Sequence, residues 1–405
     1  MFVAAGAGAL YHRLGQQQQQ QRAAWSEPAS SATSSPKVRV PVAEMQRLIR
    51  AALARQGHRD QKDIDCVTDV LLFAELRGNN QGIVKLIAGD LRPHPLLQPS
   101  TRVVHRTDIS AKLDGGQKIG MRCVRDALDE AYAIASKSGG VAVVGCSGYS
   151  SATGALGYWA REASRRGYIA VVMSMCPEMV APHGKADAVF GTNPIALGFP
   201  RGTPDAEPLV LDMATSSAAW YEVVRAAALG RKLPSKLGLT ADGQPTDEPA
   251  AILQGGALQS FDYGHKGSHL ALFVELLAGA WTGAAMSDKK TAQNWGSVVV
   301  LMHPSLLLEG GAGAGNGAGA GAGAGAELDA RVDELCARIA SARPAPGWAA
   351  GQVFLPGQRG DEQERAALRE GAVLVEAALW PRLLEAAGEA GGGKVEWREG
   401  GGDTD

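Results

Sequence analysis

The stretch Pro182–Ser217, PHGKADAVFGTNPIALGFPRGTPDAEPLVLDMATSS, decides how the chain is read. It joins a Gly-Thr-Asn-Pro turn to two apolar runs. Ile195 to Phe199 reads as one strand, and Pro208 to Leu211 as a second that ends on Asp212. Small hydroxylated residues follow, and then a helical run from Ala218 to Gly230. The backbone N–H groups at a helix start have no partner within the helix. Thr215, Ser216 and Ser217 therefore either cap that helix or hydrogen-bond a polar ligand such as ribose or phosphate.

At 405 residues and 45% hydrophobic content, the chain can bury a substantial core as one large domain or two ordinary ones. A formal charge of -2 leaves no basic surplus for gripping nucleic acid, so partners are expected to be small molecules or further copies of the chain. No apolar run approaches the roughly 20 residues that a membrane span needs. The five cysteines, Cys66, Cys123, Cys146, Cys176 and Cys336, have no CxxC spacing, which argues against zinc ligation and a disulfide framework. No metal is expected, and the thiols read as reduced core residues. Residues 1–37 contain six glutamines, Gln16 to Gln21, and Arg13, Arg22 and Lys37 against only Glu27. This segment reads as a disordered tail or an organellar transit peptide, which puts the protein in the cytoplasm or in a mitochondrial or plastid matrix.

Working outward on the N-terminal side, Val42, Met45, Leu48, Ile49 and Leu53 recur mostly at helical spacing before Gly57. A second helix from about Asp60 turns Ile64, Val67, Val70, Leu71 and Ala74 inward. The following Asn79-Asn80-Gln81-Gly82-Ile83-Val84-Lys85-Leu86 reads as a polar loop offering amides and one ammonium, Lys85, to an anion or to solvent. Sheet edge and turns are expected over 101–119, and a helix over 120–138. Gly140 to Val144 is a buried strand leading to the glycine- and hydroxyl-rich Gly145 to Gly154. A helix over 155–166 and a strand over 169–174 complete a strand, helix, strand alternation, which argues for an α/β core. The GxGxxG dinucleotide fingerprint is absent.

On the C-terminal side, Phe261-Asp262-Tyr263-Gly264-His265-Lys266-Gly267-Ser268-His269 opens an apolar helix. Two basic residues at a helix N-terminus suit a phosphate or carboxylate and are mildly unfavourable without one. The Gly/Ala tract 310–326 reads as a flexible insertion. A helix is expected over 328–339, a strand over 352–355, a turn at Pro356-Gly357, helices over 362–370 and 380–387, and a frayed tail from 391 to 405.

Several of these motifs occur in an order that resembles the malate/L-lactate/L-sulfolactate/ureidoglycolate dehydrogenase family, nicotinamide-dependent 2-oxoacid reductases without a Rossmann domain. GTNPIALGFP from Gly191 and LDMATS from Leu211 carry the match, with GHKGSHLAL from Gly264, NWGSVV from Asn294 and LPG from Leu355 in support. The likeness covers roughly 40–384, within a catalytic domain over 38–390. It implies an α/β fold with a mixed sheet flanked by helices and an N-terminal helical segment, assembled as a homodimer. NAD or NADP would exchange a hydride with a small 2-oxo or 2-hydroxy acid of malate or lactate type.

Carried over by motif, Asp212, Met213, Ala214, Thr215 and Ser216 would line the cofactor together with Thr192 and Asn193. His265 and Lys266 would contact it, and the turn at Gly357 would close over it. Asp212 also counts among the catalytic candidates. Lys85 stands where the family usually has a carboxylate-binding arginine, keeping the charge but losing the two-pronged geometry. Asn80-Gln81-Gly82 stands where the family commonly reads Ser-His-Gly with the histidine as proton donor, and the Gln81 amide can orient a carbonyl by hydrogen bonding but cannot act as an acid near neutrality. The segment after Tyr149 also lacks a histidine often found there. His183 is the first substitute donor, followed by Tyr149, Lys266 and His269. Two rival functions fit the same scaffold: reduction of a cyclic imine carboxylate, and a catalytically weak relative that binds the cofactor and acts as a redox-state sensor or interaction partner.

Overall fold

The computed structural model describes residues 36–79, 81–201, 207–308, 320–344, 354–389 and 396–398. The chain enters on strand β1 (Lys37–Pro41), which buries Val38 and Val40 on one side. Helix α1 (Val42–Gln56) follows, burying Met45, Leu48, Ile49, Ala52 and Leu53, and Gly57 ends it at φ 110°, a conformation that favours glycine. Asp60 accepts from Lys62 N at 2.9 Å to cap α2 (Gln61–Leu76). A short α3 (Ile83–Ile87) comes next, where the sequence suggests a loop.

Strands β2 (Arg102–Arg106) and β3 (Ser110–Asp114) precede α4 (Gly120–Ala135) and β4 (Val141–Tyr149). Helix α5 (Leu156–Arg165), β5 (Ile169–Ser174), β6 (Ile195–Phe199) and β7 (Leu209–Met213) complete this half. The second half holds α6 (Trp220–Ala228), β8 (Gly238–Leu239), β9 (Pro245–Thr246), α7 (Pro249–Leu253), β10 (Ala257–Leu258) and α8 (His265–Glu275). A π-helical turn, Leu276–Ala280, extends α8 before α9 (Lys289–Ala292) and β11 (Trp295–Met302). The C-terminal elements are α10 (Ala320–Ser341), α11 (Gln358–Glu370), β12 (Ala372–Glu376), α12 (Trp380–Ala387) and β13 (Glu396–Arg398).

Seven strands form one mixed sheet in the order β2-β3-β4-β11-β5-β6-β7, in which only β3 and β4 run parallel. The alternation β4-α5-β5, which reads locally as a parallel unit, does not bring its two strands together. β11 lies between them, antiparallel to both, with Val299 opposite Val144 on one side and Val172 on the other. That insertion removes the run of parallel strands on which a dinucleotide-binding sheet depends. Helices α4 and α5 pack on one face, while α8 and the π turn cover the other. Alternate residues of β11 accordingly face different cores: Val299 and Leu301 join the main cluster, and Val298 joins Met173, Met175, Val274 and Ala278. Gly296 is required where β11 passes the π turn, since a Cβ there would stand 2.0 Å from the Ala278 carbonyl oxygen.

Four expectations change. The Gly/Ala tract is helical from Ala320, with Ala324 fully buried, because alanine has the highest helix propensity and an amphipathic helix continues it; its residues 310–319 lie outside the described set. The tail assigned to 391–405 contributes β13, which pairs with β1 on the edge opposite β12. Phe354 and Leu355 are not strand, and 352–353 are outside the described residues. Of the N-terminal tail, residues 1–35 are outside the described set, and Lys37 already belongs to β1.

A buried ion pair fastens the central turn to the second face of the sheet. Lys289 and Glu275 are 1% and 4% exposed at their side chains and pair directly. Asn193 donates to Glu275 Oε2 at 2.6 Å and to the Ala271 carbonyl at 3.1 Å. Removing one partner leaves the other charge buried and unpaired. Lys289→Met is expected to cost about 3–5 kcal/mol in denaturant unfolding, and a loss below about 1 kcal/mol would contradict this role.

Candidate active site

The strand end that organises the site does not feed a capped helix. Helix α6 starts at Trp220, and no side chain caps it. The hydroxyls serve carbonyls of neighbouring loops instead: Thr215 Oγ1 donates to Thr192 O and Asn193 O, both at 3.1 Å, Ser216 to Ala218 O, and Ser217 to Leu237 O. The helix start that meets Asp212 belongs to α5, where Gly157 N donates to Asp212 Oδ2 at 2.8 Å. A Cβ on Gly157 would lie 3.0 Å from the Asp212 Cβ and Oδ2, so glycine permits the approach. Asp212 is exposed and opens onto a cavity of about 840 Å³. The protein around it raises its pKa, against the Gly157 N–H and the Lys85 and Arg77 charges.

The segment after Asp212 leads directly to the second anion-type element. Ser216 bridges to Ser260, Ser217 N donates to Gln259 O at 2.8 Å, and Phe261 N donates to Thr215 O at 3.1 Å. Four residues past Phe261, His265 and Lys266 stand exposed in the first turn of α8. That turn already has an internal anion, because Asp262 Oδ1 accepts from Gly264 N and Gly267 N at 3.0 Å each. The His183 ring lies 6.4 Å from that of His265, and His269 5.5 Å from it. On the other side of the strand end, Gly357 holds φ 87° close to β7, where a Cβ would be 3.1 Å from Val210 O. Its carbonyl accepts from Arg77 Nη2 at 2.9 Å. Arg77 pairs with Asp361 and Glu364 of α11, and Arg161 with Glu364 at 2.8 Å, which seats this turn beside the cavity. Gly157, Asp212, Gly357 and Arg359 share the cavity wall.

Lys85 departs most from the sequence reading. It lies in α3, is 1% exposed, and is one of the largest fully buried side chains. Its Nζ donates to Gln81 Oε1 and sits 4.0 Å from the centroid of the Tyr221 ring, whose hydroxyl donates to Asp90 Oδ2 at 3.0 Å. Burial pulls its pKa down to about 7, against the pull of Asp90, Cys176, Asp212 and Glu75. Glu75 accepts from Ile83 N at 2.7 Å, and burial raises it to about 7. Gly82 makes room for this carboxylate, since a Cβ there would fall 1.9 Å from Glu75 Oε1.

The candidate residues therefore divide into three sets. Gln81, Lys85 and Asp212 belong to one electrostatic cluster beside the cavity. His265, Lys266 and His183 form an exposed group at α8, joined to β7 through the Thr215–Ser217 segment, before which Met213 and Ala214 are half-buried. Thr192 and Asn193 are buried, with side chains bonded to Cys176, Ala271 and Glu275. Tyr149 is also buried and bonded to Ser297, and burial raises its pKa well above the usual phenol range. Sequence reasoning missed Glu75, Asp90, Gly157 and Tyr221. Of these, the glycine-rich start of α5 was the one visible signal.

This mixed sheet, with one parallel strand pair, lies outside the Rossmann class. The chain belongs to the malate/L-lactate dehydrogenase family, whose profile matches residues 40–384. Among known proteins it is 37% identical over 233 residues to a Δ1-pyrroline-2-carboxylate/Δ1-piperideine-2-carboxylate reductase of Pseudomonas syringae pv. tomato, a match covering 56% of this chain and 60% of the relative. The alignment thus spans less than two thirds of that enzyme's length. Malate dehydrogenase of Pyrococcus horikoshii is 31% identical over 277 residues, covering 64% of this chain and 74% of the relative. The solved structure of Δ1-piperideine-2-carboxylate reductase from Pseudomonas syringae pv. tomato superposes with a TM-score of 0.68 at 29% identity, over 87% of this chain and all of that one. Its family is one of dehydrogenases.

Two outcomes follow from this geometry. Gly157→Ala is expected to push Asp212 out of its hydrogen bond, lowering stability by about 1–3 kcal/mol; an unaltered crystallographic Asp212 position would contradict the close approach. For Glu75 the folded pKa, about 7, lies above the ordinary 4.5, so the folded state holds its proton more tightly than the unfolded one. Stability then falls as pH rises from 4.5 to 7. Glu75→Gln, which keeps an acceptor for Ile83 N, is expected to gain on the parent across that window, reaching about 1–3 kcal/mol above it. A pH-independent difference in unfolding midpoint would contradict this.

Proposed function

We propose that this chain uses NADH or NADPH to reduce a small acid carrying C=N or C=O beside its carboxylate, with a cyclic 2-imino acid as its best substrate class. The observation that carries this is the content of the buried cluster. One lysine faces Asp90, Asp212 and Glu75, and an amide, Gln81, occupies the place read in the sequence as the family's proton-donating histidine. Hydride uptake by a ketone leaves an alkoxide that must take a proton, whereas an iminium arrives with its own. The name of the Pseudomonas syringae relative points the same way. A 2-oxo acid of malate or lactate type is the second reading, supported by the relative from Pyrococcus horikoshii.

The residues present fit a nicotinamide nucleotide. Gly157 and Gly357 lie in the cavity wall, Arg359 brings a cation to it, and His265 and Lys266 stand exposed at the α8 start. The reduced nicotinamide supplies hydride when bound. Asp212, held by Gly157, would fix the orientation of groups in the cavity, and the Gly357 turn would exclude water. Purified protein offered NADH or NADPH with a panel of cyclic 2-imino and 2-oxo acids is expected to oxidise the cofactor, most rapidly with an imino acid. Tight cofactor binding without turnover of any panel member would contradict the reductase reading and favour the sensor.

The same proposal includes a homodimer. The outward side of α8 and the π turn leaves Phe273 and Trp281 60% and 64% exposed, beside Leu272, Leu276 and Leu277. An apolar patch of this kind marks an interaction surface. Light scattering is expected to give twice the chain mass for the parent, and the chain mass for Phe273→Arg/Trp281→Glu. A monomeric parent would overturn the assembly.

A further inference from the structure

We propose that Lys85 is the proton donor when the substrate is a carbonyl, and that the Gln81 amide oxygen keeps, until substrate arrives, the place the substrate oxygen takes on the Lys85 ammonium. This deepens the reductase reading and rests on it, adding 2-oxo acids to the same site through a residue other than histidine. An ammonium has three donors and no acceptor, so the atom of Gln81 facing Nζ is its carbonyl oxygen, chemically similar to a ketone oxygen. Behind the nitrogen, the Tyr221 ring closes one side at 4.0 Å, fixed by its hydroxyl bond to Asp90. The nitrogen is thus aimed and enclosed before any ligand binds.

The groups around it come from five elements: Glu75 on α2, Asp90 after α3, Cys176 after β5, Asp212 on β7 and Tyr221 on α6. Arg225 and Glu376 stand behind Glu75, and Arg77 acts on Asp212. In this setting burial brings the lysine to about 7, where it can both hold and release a proton at neutral pH. His183, the first donor suggested by the sequence, stands exposed beside His265, outside this enclosure.

The step balances as follows. The carbonyl carbon takes up hydride, the C=O π pair moves to oxygen, and oxygen takes a proton from Lys85 Nζ. A hydroxy acid and a neutral amine result, and a proton taken up from solvent restores the ammonium. An iminium substrate bypasses the proton transfer, because its nitrogen is already protonated and its π pair stays there as a lone pair.

The test has two arms. With ε-13C-lysine label in the protein alone, a resonance absent from Lys85→Arg is expected to titrate near neutrality; titration near 10 would overturn the inference. In turnover, Lys85→Arg keeps a charge that cannot be released, and Lys85→Met removes it while remaining apolar enough for the site. Both are expected to lose roughly a hundredfold or more in kcat on a 2-oxo acid. That loss should exceed the loss on a cyclic iminium at least tenfold, with the neutral-pH limb of the carbonyl profile gone. Equal losses on both substrates, or a hundredfold loss in His183→Ala with Lys85→Arg active, would overturn the role of Lys85 alone. A parent inactive on every substrate would overturn the reductase reading beneath it.

Discussion

The pairing of the Thr215–Ser217 segment with Gln259–Phe261 is the constraint on which the site depends. Asp212 ends a sheet strand, and His265 and Lys266 open a helix on the far side of a long excursion through α6, the small sheet and α7. Two backbone hydrogen bonds, Ser217 N to Gln259 O and Phe261 N to Thr215 O, pair Ser216 with Ser260 and join the two segments. The Thr215 hydroxyl holds this pairing to the Thr192 and Asn193 carbonyls, and Asn193 is held in turn by Glu275. Backbone hydrogen bonds removed from water tolerate little displacement, since an unmade one costs about 1–3 kcal/mol. A structural clamp therefore sits under the residues proposed to face a ligand.

A second constraint is electrostatic. Lys85 and Glu75 are both moved toward neutrality by burial, in opposite directions, within one cluster. Such groups are unfavourable for stability, and perturbed acidity of this kind concentrates at functional sites. The loss of the imidazole from the Asn80-Gln81-Gly82 position thus leaves a site that still contains a titrating group, one turn further along the chain at Lys85. Under the proposed chemistry, that difference would separate substrates that need a proton from those that bring one.

Much of the scaffold was legible because it is local. The inward faces of α1 and α2, the strand Ile195–Phe199 and the terminal helix at Trp380 follow from periodicity, Gly57 and the Asp60 cap. The order of the motifs identified the family and its mixed sheet. The sheet's actual strand order was hidden, since β11 enters between β4 and β5 from much later in the chain. The site divides in the same way. Asp212 stood out by its position at a strand end, but its partner is the start of α5 rather than the next helix. Lys85 looked like a loop cation because its burial depends on Tyr221, Asp90 and Glu75, which no local pattern connects to it.

Hydrogen exchange with NADH or NADPH added tests the central claim, that strand end and helix start form one nucleotide site, most directly. The account predicts simultaneous protection of residues 209–217, 259–269 and 354–361 at cofactor concentrations that saturate the protein. Protection confined to one of these segments, or appearing only elsewhere in the chain, would contradict it.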